Sequence, residues 1–156
     1  MRVTVDHVNI VVSDMERSVR FYSEMLGLRR GFEVTLEGDW IERVTGLKGA
    51  RAWCVFMEPE EMKTGGGAVR LELLHYLSPS GDALAANSLP NTGGLRHVAF
   101  LVDDLDALVA TLHAAEVPLV SEPVVVPFAV GTMGRKRLCY FHDPDGTLLE
   151  AAAYGE

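Results

Sequence analysis

Asp6-His7-Val8-Asn9-Ile10-Val11-Val12-Ser13-Asp14 returns 90 residues later as Arg96-His97-Val98-Ala99-Phe100-Leu101-Val102-Asp103-Asp104. Two further echoes follow in the same order. Trp53-Cys54-Val55-Phe56-Met57-Glu58-Pro59 is matched by Leu138-Cys139-Tyr140-Phe141-His142-Asp143-Pro144, at an offset of 85. Leu71-Glu72-Leu73-Leu74-His75-Tyr76 is matched by Leu149-Glu150-Ala151-Ala152-Ala153-Tyr154, at an offset of 78. Order is kept and only the intervening loops shorten, the pattern of a duplicated structural unit. Each copy opens on a His and closes on a Glu. A lone strand His is more often a hydrogen-bonded structural residue than a ligand. His7, Glu72, His97 and Glu150 in two-fold related places make a metal site the leading reading.

Working outward from the echo, residues 3–12 are β-branched and read as a strand. Ser13 followed by Glu16 is a capping box that opens a helix. Met15, Val19, Tyr22 and Leu26 keep helical spacing, and Gly27 fits the position past its end. Strands are expected at 28–37, 51–57 and 68–76, with loop or irregular helix at 38–49 and a flexible Gly65-Gly66-Gly67. The second copy reads as strand 95–102, helix 104–116, a strand around 118–127, and a hairpin of 135–142 with 147–154 turned by Asp143-Pro144-Asp145-Gly146. The order is β-α-β-β-β, twice: an α+β chain with a mostly antiparallel sheet in each half. The first module is expected at 1–77 and the second at 95–156, with 78–94, rich in Ser, Pro, Asn and Gly, as connector.

Strand parity places the candidate ligands. His7 shares a face with Asn9 and Val11, and His97 with Ala99 and Leu101. Val8, Ile10 and Val12, like Val98, Phe100 and Val102, take the opposite face, where a helix packs. Glu72 shares a face with Arg70, Leu74 and Tyr76, and His75 points away. Both His and both Glu are therefore expected on the face without the helix. Two such sheets curled around one cavity would bring the four together. His75, His113 and His142 read as structural. Arg135-Lys136-Arg137 reads as a solvated hairpin or, less often, as a basic lip for an anionic substrate. Trp40, Phe32, Phe128 and Met133 fit either a cleft lining or a core.

The 156 residues are one domain's worth, 48% hydrophobic and 23% charged, ordinary for a globular protein. A net charge of −8 argues against nucleic acid, which needs a basic face, and against an anionic membrane surface. No apolar run reaches spanning length, and the first residues lack the plan of a signal peptide. Cys54 and Cys139 lie in strand-like runs and read as reduced core thiols of a cytoplasmic protein. As repeat equivalents they also admit a disulfide.

Asp6-His7-Val8, Phe21-Tyr22 with Leu26-Gly27-Leu28, Leu71-Glu72-Leu73, Gly94-Leu95-Arg96-His97-Val98-Ala99-Phe100, and Phe141-His142-Asp143-Pro144-Asp145-Gly146 leading to Glu150 together resemble the vicinal oxygen chelate superfamily. That group contains glyoxalase I, methylmalonyl-CoA epimerase, fosfomycin-modifying enzymes and extradiol dioxygenases. The resemblance implies paired βαβββ modules forming a U-shaped, metal-containing cleft, usually in a homodimer. It places the ligands at His7, Glu72, His97 and Glu150. A carboxylate at Glu72 is similar to glyoxalase I, whereas the long 78–94 connector is similar to the epimerase.

Imidazole and carboxylate suit one divalent ion such as Ni, Co, Zn or Mn. Four protein ligands on an octahedral ion leave two adjacent positions for a small molecule with neighbouring oxygens. The ion then stabilises an enediolate formed when a proton leaves the carbon beside the carbonyl. Glu150 or Glu72 is expected to move that proton. The expected activity is thus a metal-dependent lyase or isomerase acting on a small, anionic substrate. Two alternatives stand beside it. An extradiol-type dioxygenase would use Fe held by two His and one carboxylate. A metal-free drug-binding module would have lost the ligand set, which this chain keeps.

Overall fold

The computed structural model describes residues 3–59, 69–83 and 89–155. The Gly65-Gly66-Gly67 expectation and part of the 78–94 connector lie outside the described residues. The chain divides into two compact units, Met1–Ala83 and Leu84–Glu156.

The first unit runs β1 (His7–Val11), α1 (Met15–Leu26), β2 (Arg29–Leu36), α2 (Asp39–Thr45), β3 (Arg51–Glu58) and β4 (Arg70–Ser78). Its sheet has the order β1-β4-β3-β2. The second runs β5 (His97–Leu101), α3 (Leu105–Ala114), β6 (Val124–Ala129), a short 3-10 turn (Gly131–Met133), β7 (Arg135–His142) and β8 (Leu148–Gly155), in the order β5-β8-β7-β6. In each sheet the first and last strands pair parallel while the other pairings are antiparallel. Parallel neighbours need a long crossover, and the helix and the two middle strands between them supply it. The α+β class and the doubled βαβββ order stand, with α2 as an addition inside the first copy.

Both long helices start alike, although not on the residue expected. The N-cap is Asp14, not Ser13: its carboxylate accepts from the Arg17 N–H at 3.0 Å. Asp104 does the same for Ala107 at 2.9 Å. An ionised carboxylate at the N-terminus of a helix is the stronger partner, favoured by the helix dipole; Ser13 instead accepts from the Arg17 side chain. At their C-termini the helices differ. Gly27 takes the left-handed conformation at φ 64° without strain, while Glu116 holds φ 56° with a full side chain.

Burial alternates along β1 as the parity predicts, whereas on β8 it is continuous from Leu148 to Ala152, Glu150 included. Leu71 and Leu73 on β4 and Leu149 and Ala151 on β8 are buried, as are Met15, Tyr22 and Leu112 on the helices. One register differs from the sequence echo. Phe56 pairs with Glu72, and Tyr140 pairs with Glu150. The structural offset between β3 and β7 is therefore 84, not 85, and the matched cysteines are not equivalent. Cys54 pairs with Leu74 and shares the Glu72 face; Cys139 pairs with Ala151 and lies on the face away from Glu150. Both are free and buried, so the admitted Cys54–Cys139 disulfide is absent. Other expectations shift at their ends. The strand expected around 118–127 pairs only at Val124–Ala129, with Leu119 making a single bridge to Phe141. Pro118, Pro123 and Pro127 lack the N–H that a longer ladder would use.

Burial pushes the Cys54 thiol up to about 12, helped by the Glu72 charge, and burial raises Cys139 as well. Neither thiol should react with an aromatic disulfide reagent at neutral pH in the native protein, and two should appear on denaturation. A fast native thiol, or a mass two hydrogens short, would contradict the burial. Glu116→Gly should raise the unfolding free energy by about 1 kcal/mol, the approximate cost of the left-handed conformation for a residue with a Cβ. A chemical denaturation curve reads it, and a lowered midpoint would count against that conformation.

Candidate functional site

The parallel register fixes each His–Glu pair. On the first sheet Asn9 stands opposite Glu72, with His7 two residues before it on the same face. On the second, Ala99 stands opposite Glu150 with His97 in the same relation. The outcome is identical spacing: His7 Nε2 lies 3.4 Å from Glu72 Oε2, and His97 Nε2 lies 3.4 Å from Glu150 Oε2. Both His side chains are 36% exposed, whereas those of Glu72 and Glu150 are 15% and 4% exposed.

The polar setting of the first pair orients its donors. Asp6 Oδ2 lies 2.7 Å from His7 Nδ1 and 2.7 Å from Arg70 Nη2. The His7 hydrogen bond, and Arg70 after it, hold the Asp6 carboxyl below its ordinary value. An ionised carboxylate only accepts, so Nδ1 carries the proton and, in the neutral ring, Nε2 offers its lone pair toward Glu72. Asn9 Nδ2 donates to Glu72 Oε2 at 3.1 Å and to the Glu72 carbonyl at 3.3 Å. The Cys54 thiol reaches Glu72 Oε1 at 3.5 Å. Phe56 lies edge-on to the His7 ring, and the Arg70 guanidinium stands 4.5 Å over the Phe56 ring.

The second pair is held by different partners. Glu150 is 3% exposed as a residue, and Lys136 Nζ forms an ion pair with its Oε1. That contact holds the Lys136 ammonium above the ordinary lysine range. Tyr140, at the position of Phe56, stacks near His97 with ring centroids 5.2 Å apart. Burial first, and then the Glu150 charge and a hydrogen bond to it, push its hydroxyl above the ordinary value.

Donors bound at about 2.1 Å at right angles on one ion stand about 3 Å apart. The 3.4 Å spacing in each pair is close to that, and a lone pair facing a carboxylate is a gap that a cation fills. The residues present therefore fit a divalent ion as donors. Each pair supplies two of them, and among the described residues no three His, Cys, Asp or Glu side chains gather at one point.

The remaining candidates separate from these pairs. His75 Nδ1 donates to the Val12 carbonyl at 3.0 Å, tying β4 to the end of β1. His113 pairs with Glu122 at 3.3 Å. Alternation divides the basic run: Arg137 turns to Asp106 on α3 at 2.8 Å, Arg135 is exposed, and Lys136 alone reaches Glu150. Phe32, Trp40, Phe128 and Met133 are exposed and belong to no core. Sequence reasoning passed over Asp6, Arg70 and Tyr140 as parts of the site, and reached Lys136 only as one residue of a basic lip. The i, i+4 spacing of Lys136 and Tyr140 was a signal, but it became usable only with the register against Glu150. No helix among the described residues is long and apolar enough to cross a membrane.

Residues 4–151 match the family model described as Glyoxalase/Bleomycin resistance protein/Dioxygenase superfamily. The chain is 32% identical to the uncharacterized protein YaeR of Escherichia coli (strain K12), over 94% of this chain and 92% of that one. It is 28% identical to the mitochondrial methylmalonyl-CoA epimerase of Homo sapiens, over 94% of this chain and 71% of the epimerase. Among solved structures, the glyoxalase family protein APC24694 from Bacillus cereus superposes with a TM-score of 0.83 at 29% identity, covering 100% of this chain and 97% of that one. With its doubled βαβββ order and these matches, the chain belongs to the glyoxalase/bleomycin resistance protein/dioxygenase superfamily.

Proposed function

We propose that this protein is a metal-dependent lyase or isomerase of the glyoxalase and epimerase type. In this reading His7, Glu72, His97 and Glu150 hold one divalent ion (Ni, Co, Zn or Mn). The observation that carries it is the repeated geometry: at equivalent places in two units, a His Nε2 faces a Glu Oε2 at the same 3.4 Å. Chance placement of structural histidines has no reason to repeat a donor spacing that suits a metal. Membership in a family that includes an epimerase is consistent with the isomerase side of the reading. Two buried, unpaired thiols support a cytoplasmic setting.

A bound divalent ion supplies Lewis acidity beside a substrate carbonyl. The chain's own groups do the rest. Asn9 fixes the orientation of Glu72 through its side-chain amide, while the Asp6–Arg70 contact keeps the His7 ring turned. Among the described residues Glu72 has no ammonium partner like that of Glu150, and in this reading it is the carboxylate freer to take a proton from the carbon next to the carbonyl and return it. The exposed aromatic Phe32, 6.5 Å from Phe56, lies beside the first pair and offers apolar surface to the substrate.

Deuterium uptake from heavy water tests this. Methylmalonyl-CoA and the hemithioacetal of methylglyoxal with glutathione are incubated with chelator-treated and metal-restored protein. One of them should gain deuterium at the carbon beside the carbonyl only with restored metal. Glu72→Gln should slow that uptake by about 10²–10⁴-fold, the range for a lost general base. Unchanged exchange in Glu72→Gln would remove Glu72 from this role.

A further inference from the structure

Lys136 has no counterpart in the first unit. Its register partner is Tyr154, and the equivalent position opposite Tyr76 is Ala52. The carboxylates of the two pairs therefore differ in their immediate partners. Glu72 is held by a neutral amide and a thiol. Glu150 is held by an ammonium, with side chains 4% and 19% exposed for Glu150 and Lys136.

Glu150 also faces His97 Nε2, so an ammonium and a divalent cation claim the same carboxylate. Charges this far from water are not left alone: each needs a partner of opposite sign. A metal held by His97 and Oε2 would draw on the charge that Oε1 offers Lys136, loosening that pair while the strand keeps the ammonium at the edge of the site. We propose that Lys136 is a displaceable counter-ion. It holds Glu150 until a divalent cation takes that carboxylate, and then pairs with an anionic oxygen of the bound small molecule. The inference rests on the metal-site reading above and narrows the substrate class. A chelator bearing negative charge, such as a carboxylate, is favoured over a neutral diol or ketone. The other cations of β7 are placed elsewhere: Arg137 is engaged by Asp106, and Arg135 lies on the opposite face of the strand from Lys136.

Two titrations by calorimetry test it: Mn²⁺ into metal-free protein, then oxalate, a small dianionic chelator, into Mn²⁺-loaded protein. Lys136→Met should bind Mn²⁺ about tenfold or more tightly, because a competing charge is gone, and oxalate about tenfold or more weakly. Lys136→Arg should keep both affinities within about threefold of the wild type. The opposite signs separate this role from a structural one, in which loss of Lys136 would loosen both ligands together. If Lys136→Met does not fold, Lys136→Gln serves in its place with the same expected signs. Unchanged or weaker Mn²⁺ binding in the charge-free variant, or unchanged oxalate binding, would overturn the counter-ion role while wild-type Mn²⁺ binding leaves the metal reading in place. Failure of the wild type itself to bind Mn²⁺ would overturn both.

Discussion

The parallel pairing of the first and last strand in each unit is the constraint on which the rest depends. It places a His and a Glu two residues apart in register on one face, with no loop geometry left to chance. Hydrogen bonds between strands fix that spacing to within a fraction of an ångström. The crossover helix then covers the opposite face, where Leu71, Leu73, Leu149 and Ala151 are buried. A shift of one residue would turn the carboxylates into the core and the leucines out to water. The same hydrophobic burial that stabilises each sheet therefore also aims its pair of donors.

The chain carries this device twice, and the surroundings of the two copies differ. Phe56 stands where the second copy has Tyr140, and Ala52 where it has Lys136. Glu72 remains a lightly held carboxylate beside an aromatic face, and Glu150 a buried one tied to an ammonium and a phenol. The two pairs are therefore not equivalent in the partners that hold their carboxylates. Differentiated carboxylates are what a reaction needs when one group anchors and another moves a proton.

How much of this was legible in the sequence follows from its periodicities. Alternation in Val8-Asn9-Ile10 and Leu71-Glu72-Leu73 carried the faces of the strands correctly, because a half-buried strand repeats every two residues. The βαβββ order was legible twice over because the repeat confirmed each element. Where the reading slipped, an accidental identity was the cause: aligning Cys54 with Cys139 shifted one strand by a residue and hid that Lys136 and Tyr140 share the Glu150 face. Ladder ends were less legible, since Pro118, Pro123 and Pro127 look strand-like in composition but cannot donate. Ser13 was read as the helix cap because its spacing to Glu16 fits, but Asp14 offers the better acceptor. The partners of the pairs, Asp6 and Arg70 among them, depend on contacts between distant residues that a single sequence does not display.

The central claim is that two half-sites act as one metal centre. Counting ions per chain by elemental analysis, in the wild type and in His7→Ala and His97→Ala, tests it most directly. The account predicts one Ni, Co, Zn or Mn ion per chain, lost in either variant alone, since each unit gives only half of the donors. Two ions per chain, each lost with its own histidine, would mean that the pairs work separately. No metal bound by wild-type protein offered any of these ions would contradict the claim outright.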